Sequence, residues 1–541
     1  MLDCGRQWYP ADVLKDMCAY LGFFKASEFH LHLSDNLPGR VGADLNSTYA
    51  RFRLRTDKDE FAGLTPHLNE TYSKEEFDDL QASCAARGVT IVPEIEAPGH
   101  ALVITQWKPH LALPSDPTLL NLSLPESTQT MQDVWREFLP WFHTKEVSIG
   151  ADEYSSALAD DYIRFAGNMS EFIQKEANKT IRLWGTNEPS RTGLQLTRDL
   201  IVQHWEGSED NAFQLIQQGY RVINSDDFFN YIVIKQSGSF PQRLNQTRLW
   251  KGNARGGPWD PTQFNRTVSA QPNNPPPTSP LLRGGIMAAW NDQGPTASTP
   301  LEAFYSFKMG LPVVAAAGWR AATQPGALSQ AQFNSVFEIL QRAAPGQNLD
   351  RRVPSRGPTV LEFNFTATAG TRDLSGNGYD ARLSDGASIS TAGLKLTSGA
   401  TVDTPLTSKG ANYTLLLSFS ATAPRVGSTA TLLSGPDTTL VLSTSSANTT
   451  FAFISSNITY ALTSFALPKG AGTTEVVLRG TEETVNVAVN GTSVGAFETV
   501  IRNSAVRKGM AFVAPIAHIG GPGFEGVVKR LVVFDGIANT V

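Results

Sequence analysis

Residues 147–154 read Val-Ser-Ile-Gly-Ala-Asp-Glu-Tyr, so a short β-prone run ends in Gly150 and two adjacent carboxylates, Asp152 and Glu153, follow it. Two acids leaving a buried strand side by side are costly to desolvate, and each disfavours ionisation of the other. Chemistry on glycosidic bonds uses such a difference, because it commonly needs one carboxyl protonated and another charged. Residues of matching type recur through the first two-thirds of the chain. Arg6 comes first. His30, His32 and Asp35 follow in His-Leu-His-Leu-Ser-Asp-Asn, and Glu96 and His100 in Pro-Glu-Ile-Glu-Ala-Pro-Gly-His. Trp184 and Trp205, then Asp226, Asp227 and Tyr231, then Trp290 and Asp292 complete the set.

Pyranose rings have apolar faces that indoles cover and hydroxyl edges that Arg and carboxylates bind. Each residue alone has a plainer reading. Barrels bury tryptophans under loops, His30 and His32 suit satisfied core histidines, and Arg6 suits a structural ion pair. Asp226 and Asp227 are most simply a solvated loop. The joint pattern favours a sugar site.

Such residues need a scaffold that brings them to one face. Short β-prone runs occur at Met1–Asp3, Glu28–Leu33, Thr90–Glu94, Glu146–Gly150, Thr180–Trp184, Leu200–His204, Arg221–Asn224 and Gly285–Ala289. Helical patterns lie between most of them. Pro10–Leu21 starts with a proline suited to a first turn. Ser73–Arg87 opens on a capping box of Ser73 and Glu76. Asp160–Ala177 and Asp210–Gln218 have helical apolar spacing. Eight units predict an α/β fold, a (β/α)8 TIM barrel over residues 1–345, with functional groups at the C-terminal strand ends. The longest insertion, with Pro275-Pro276-Pro277, falls between the seventh and eighth strands, and Gln330–Ala344 looks like a closing helix.

Residues 346–358 are rich in Pro, Gly and Arg and predict a linker. From 359 to 541 Ser, Thr, Gly and Val dominate and Trp disappears. Short β-prone runs there predict an all-β sandwich, jelly-roll-like in style.

The chain has 541 residues, 41% hydrophobic and 18% charged, with net charge −6. That length predicts more than one domain. The charge, without a basic cluster, argues against a nucleic-acid partner. No apolar run is long enough for a membrane span. Asn-x-Ser/Thr occurs at Asn46, Asn69, Asn121, Asn168, Asn178, Asn245, Asn265, Asn364, Asn412, Asn448, Asn457 and Asn490. That spread suggests a glycosylated, secreted product. Met1 runs directly into Leu-Asp-Cys-Gly-Arg without a signal peptide, so the expectation is a truncated or processed chain, or another route of export. Cys4, Cys18 and Cys84 leave at least one thiol outside an internal disulfide.

In order, His-Leu-His-Leu-Ser-Asp-Asn, Pro-Glu-Ile-Glu-Ala-Pro-Gly-His-Ala, Ile-Gly-Ala-Asp-Glu-Tyr, Leu-Trp-Gly, Gln-His-Trp-Glu-Gly and Ala-Ala-Trp-Asn-Asp resemble the family-20 glycoside hydrolases, the β-N-acetylhexosaminidases. The resemblance covers roughly residues 1–340. Two departures stand out. Tyr231-Ile232-Val233 replaces a common Tyr-Leu-Asp, and Trp290-Asn291-Asp292 a common Trp-Thr-Glu. Both resemble the branch holding dispersin and the lacto-N-biosidases, which leaves the glycan open.

The resemblance implies substrate-assisted hydrolysis of terminal β-linked GlcNAc or GalNAc with retention. Adjacent acids cannot easily straddle a sugar, whereas a 2-acetamido group supplies its own nucleophile. Glu153 is then acid and base, Asp152 the partner of the acetamido N–H, and Tyr231 a donor to its oxygen. Trp184, Trp205 and Trp290 enclose the ring, and Arg6 and Asp292 bind hydroxyls. Asp35, Glu96 and His100 position the acid pair. No cofactor and no metal is implied. A disaccharide-releasing or endo-acting hydrolase is the alternative, and a non-catalytic lectin a weaker one. In the C-terminal region, Asp373-Leu374-Ser375-Gly376-Asn377-Gly378 and the run Gly526–Phe534 resemble laminin-G-like or concanavalin-like domains. That region is either a carbohydrate-binding module or a structural cap; without clustered aromatics, the cap is favoured.

Overall fold

Parallel strands covered on both faces are apolar along most of their length rather than alternating. Thr90–Glu94 (Thr-Ile-Val-Pro-Glu) and Ile201–His204 (Ile-Val-Gln-His) have that character, with polar residues gathered toward their C-terminal ends. The computed structural model describes residues 1–541 except 39–44, 187–189, 237–239, 255, 265–273, 320–327, 447, 469, 471, 502–504 and 539–541. The Asn265 sequon lies outside the described residues. Two compact units form: Met1–Pro295 with Ala303–Gln347, and Thr296–Glu302 with Asn348–Val541.

The first unit is built on ten strands. They are β1 (Leu2–Asp3), β2 (Glu28–His32), β3 (Thr90–Glu94), β4 (Glu146–Ser148), β5 (Thr180–Trp184), β6 (Ile201–His204), β7 (Arg221–Asn224), β8 (Tyr231–Val233), β9 (Leu282–Gly285) and β10 (Ala288–Trp290). Their pairing is parallel, in the order β8-β10-β1-β2-β3-β4-β5-β6-β7-β9. Helices α1 (Ala11–Phe23), α2 (Lys74–Ala85), α4 (Pro125–Phe138) and α5 (Ala159–Ala177) connect the first five positions, with the short α3 (Leu102–Trp107) before α4. The capping box of Ser73 and Glu76 is present at the start of α2. A disulfide, Cys18–Cys84, joins α1 to α2, and Cys4 is a buried free thiol. Between Trp184 and Ile201 no helix forms among the described residues.

The eighth strand expected at Gly285–Ala289 is instead two strands. β9 pairs with β7 (Val222↔Leu282), and β10 pairs with β1 (Leu2↔Ala289). Only Ile286 and Met287 separate them. The Ile286 N–H donates to Asn224 O (2.8 Å) and the Ala289 N–H to Met1 O (3.1 Å), so this broken strand closes the barrel. Gly284, at φ 116°, allows the bend with a backbone that other residues rarely adopt. Tyr231, expected after the seventh strand, begins the added strand β8, paired Tyr231↔Ala288.

The second unit consists mainly of two antiparallel sheets, one of eight strands and one of seven. Leu415 and Leu417 of one sheet and Leu440, Leu442 and Phe453 of the other lie in a single buried core. The stretch predicted as a linker differs from a free connection. Arg351 makes a bidentate pair with Asp437 (3.0 and 2.8 Å), and Tyr379 Oη donates to Pro354 O (2.7 Å). These charge-assisted and backbone bonds fix residues 348–358 to the sandwich.

Candidate active site

The turn after β4 presents the two acids differently. Gly150, Ala151 and Glu153 have φ of 66°, 65° and 49°, so the chain coils instead of alternating as a strand would. Asp152 turns inward, its side chain 14% exposed, while that of Glu153 is 55% exposed. The coil is held from the segment just after β3, where Glu96 Oε1 accepts the Ala151 N–H (2.7 Å).

His100, itself at φ 45°, stands beside the acids. Its Nε2 is 3.1 Å from Glu153 Oε2 and 3.7 Å from Asp152 Oδ2, and its Nδ1 is 3.3 Å from Asp35 Oδ1. Burial works against charge on His100, but Asp35 and the acid pair outweigh it and hold the imidazole protonated. The hydrogen bond from His100 lowers the Glu153 pKa. Burial, reinforced by Glu153 and Glu94 against the pull of His100, raises Asp152 to about 6. Burial and the charge of Asp152 raise Glu96 well above the usual carboxyl range, keeping it neutral. Asp152 Oδ1 is buried without a hydrogen-bond partner among the described residues.

The aromatic wall is continuous. Trp184 and Trp290 have ring centroids 5.4 Å apart, Tyr231 lies 5.9 Å from Trp290, and Trp205 stacks on Tyr231 at 6.0 Å. The Trp205 indole N–H donates to Gly185 O (2.8 Å) and the Trp184 indole N–H to Glu94 Oε2 (3.1 Å). The Trp290 indole N–H is buried with no acceptor among the described residues. Burial and the charges of Asp292 and Asp152 push the Tyr231 phenol well up, so it keeps its proton and is a donor.

Arg6 is nearly saturated. Its Nη1 reaches Asp3 (3.1 Å) and Asp292 (3.3 Å), its Nη2 reaches Asp35 (2.9 Å), and its Nε donates to Asn36 O (3.0 Å). The side chain of Asp292, 38% exposed, is the open end of this cluster. Burial raises its pKa against the pull of Arg6.

All eleven predicted positions, namely Arg6, Asp35, Glu96, His100, Asp152, Glu153, Trp184, Trp205, Tyr231, Trp290 and Asp292, therefore lie at one end of the barrel. Asp226 and Asp227 are not a solvated loop. Both are buried, and Asp226 lies 3.4 Å from His204, whose other ring nitrogen is 2.7 Å from Asp210. Burial opposes charge on His204, but Asp210 and Asp226 raise its pKa to about 10. Sequence reasoning also missed Asp3, which accepts from Arg6 and from the Asn291 N–H (3.0 Å), and Glu94, the last residue of β3. The signal for Glu94 was present: an acid inside an apolar barrel strand needs partners.

Strand-end carboxylates, a protonated histidine and an aromatic wall on a parallel barrel define a carbohydrate-active (β/α)8 site. The model of glycosyl hydrolase family 20, catalytic domain, matches residues 1–305, and the chain belongs to that family. A β-hexosaminidase of Vibrio furnissii is 25% identical over 268 residues, 44% of this chain and 44% of that protein. A lacto-N-biosidase of Bifidobacterium bifidum is 22% identical over 245 residues, 40% of this chain and 22% of that protein. The solved structure of dispersin B has 18% identity and TM-score 0.47, covering 59% of this chain and 98% of that one. The chain spans less than half the length of these curated relatives. No helix among the described residues is long and apolar enough to cross a membrane.

Proposed function

We propose that the chain is a retaining exo-β-N-acetylhexosaminidase that cleaves terminal β-linked N-acetylhexosamine with help from the substrate's acetamido group. The observation that carries this is the split environment of the adjacent acids: Asp152 is turned inward with a buried, unpartnered oxygen, and Glu153 is open. A carboxylate oxygen without a donor suits an acetamido N–H, whose developing positive charge it then stabilises. The Tyr231 phenol suits the acetamido oxygen and would hold it for attack on the anomeric carbon. Trp184, Trp205 and Trp290 offer apolar surface to the acetamido methyl and sugar ring. Asp292, with Arg6 behind it, suits a hydroxyl.

Glu153 then serves the leaving oxygen. The His100–Glu153 pair shares a proton that lies on the imidazole side when Glu153 faces water. A sugar over Glu153 would exclude that water, which raises a carboxyl pKa and moves the proton toward the leaving group. After departure Glu153 takes a proton from water, and attack on the cyclised intermediate restores the β configuration.

A secreted, glycosylated protein is part of the proposal. None of the sequon asparagines among the described residues is buried, and a disulfide is at home in an oxidising compartment. The test compares 4-nitrophenyl β-GlcNAc with the matching glucoside and follows product anomers by NMR. Turnover confined to the acetamido sugar, with β-GlcNAc released first, is expected. Equal turnover of both, or α product, overturns substrate assistance.

A further inference from the structure

Glu94 lies fully inside the barrel, where branched aliphatic side chains usually pack, yet it meets four donors. Its Oε2 takes His30 Nε2 (3.0 Å), Ser148 Oγ (2.5 Å) and Trp184 Nε1 (3.1 Å), and its Oε1 takes His32 Nδ1. His32 Nε2 in turn lies 2.6 Å from Asp35 Oδ2. Asp35 Oδ1 faces His100 Nδ1, and His100 Nε2 faces Glu153. Carboxylate and imidazole thus alternate without a break from His30, through Glu94, His32, Asp35 and His100, to Glu153.

The geometry fixes the proton positions. His30 Nδ1 is buried without a partner among the described residues, so His30 is neutral and spends its one N–H on Glu94. His32 has a carboxylate at each ring nitrogen and therefore donates from both. The same holds for His100. The Arg6 guanidinium, 3.2 Å from His100 Nδ1, donates to Asp35 rather than to the ring.

Several charged groups face this chain from the neighbouring strands. Asp3 of β1 approaches His32 and Asp35, and Glu96 approaches His32 and Glu94. Arg182 opposes charge on His30, and the Glu94 charge acts on Asp152. A buried ionic series is costly and adds little stability against an apolar alternative. Packing alone does not account for it.

We propose that Glu94 and His32 are positioning residues for the general acid, acting through Asp35 and His100 to set the orientation and proton occupancy of Glu153. Glu94 also accepts the Trp184 indole N–H, a bond that the amide oxygen of a glutamine keeps. This inference rests on the hydrolase reading, and its test has one arm that needs no turnover.

The experiment uses the full chain with Glu94→Gln and, separately, His32→Gln, which keeps a hydrogen-bonding side chain of similar reach. A general acid matters for a poor leaving group and hardly for a good one. Loss of kcat/KM of about 30-fold or more on a β-linked GlcNAc disaccharide is expected. The 2,4-dinitrophenyl β-GlcNAc should lose less than about threefold, with KM nearly constant in both cases. Equal losses on both substrates in the variant that folds overturn the proposal. The second arm labels the eight histidines with 15N. His32 and His100 should be imidazolium at pH 8 in the unsubstituted chain. Glu94→Gln should lower the His32 midpoint and shift the His100 resonances. Unmoved His100 resonances overturn the proposal, whether or not any glycoside is cleaved.

Discussion

His100 Nε2 lies 3.1 Å from Glu153 Oε2, and both residues have left-handed backbones, at φ 45° and 49°. Two non-glycine residues held in that region to meet each other mark a pair whose geometry outranks local backbone comfort. Glu153→Gln keeps the size and loses the proton. It should cut kcat/KM on a GlcNAc disaccharide by about 10²–10⁴-fold while leaving thermal unfolding unchanged. Near-normal turnover of the disaccharide by a folded variant would remove Glu153 from the acid role.

Asp152 gives a pH signature of opposite sense. Burial first, then Glu153 and Glu94, raises its pKa from 3.8 to about 6. The reaction uses the carboxylate, so kcat/KM should fall by up to about tenfold per pH unit below that midpoint. For stability, a raised carboxyl pKa means the folded protein binds the proton more tightly than the unfolded chain. That contribution is complete below the unfolded pKa and is lost as pH rises through about 6. Asp152→Asn should therefore abolish the acidic limb of whatever activity remains. It should also raise Tm more at pH 8 than at pH 4.5. A Tm change independent of pH would show that Asp152 is not desolvated in solution.

The barrel was legible because parallel strands covered on both faces leave continuous apolar runs, and Thr90–Glu94, Thr180–Trp184 and Arg221–Asn224 keep their predicted bounds. The site followed from strand ends, since polar residues there have few reasons to exist other than loops or ligands. The broken eighth strand was not legible. Gly284 and Gly285 carry no side-chain pattern, and only the pairing of Leu282 with Val222 and of Ala289 with Leu2 shows that one segment serves two neighbours. Asp226 failed for a related reason. Its partner His204 is distant in sequence by a whole βα unit, so a buried ion pair looked like a polar turn.

The Cys18–Cys84 bridge closes a loop spanning 66 residues between two buried positions. Constraint of the unfolded chain by such a loop is worth about 4 kcal/mol in the entropic account. Reduction, or the Cys18→Ala/Cys84→Ala pair, should lower the first thermal transition by several degrees. Activity at room temperature should remain, because the bridge joins two helices, α1 and α2, whereas the site residues follow the strand ends. A Tm unaffected by reductant would show the cysteines unpaired in solution.

Gly150 tests the coil that separates the acids. A Cβ built there would lie 1.5 Å from Glu96 Oε2, and the backbone φ of 66° is one that alanine adopts at a cost. Neither conflict can relax freely. Glu96 is buried and its Oε1 holds the Ala151 N–H, so moving it releases the turn that aims Asp152 inward. Gly150→Ala should then reduce kcat by about 10²-fold or more, through misplacement of about an ångström, while the strand and barrel persist. Glu96→Ala in the Gly150→Ala background makes room for the new methyl group. It cannot restore the lost bond to Ala151, so activity should stay low while Tm recovers. Recovery of activity in the double variant would mean that steric room, and not the Glu96–Ala151 bond, sets the turn.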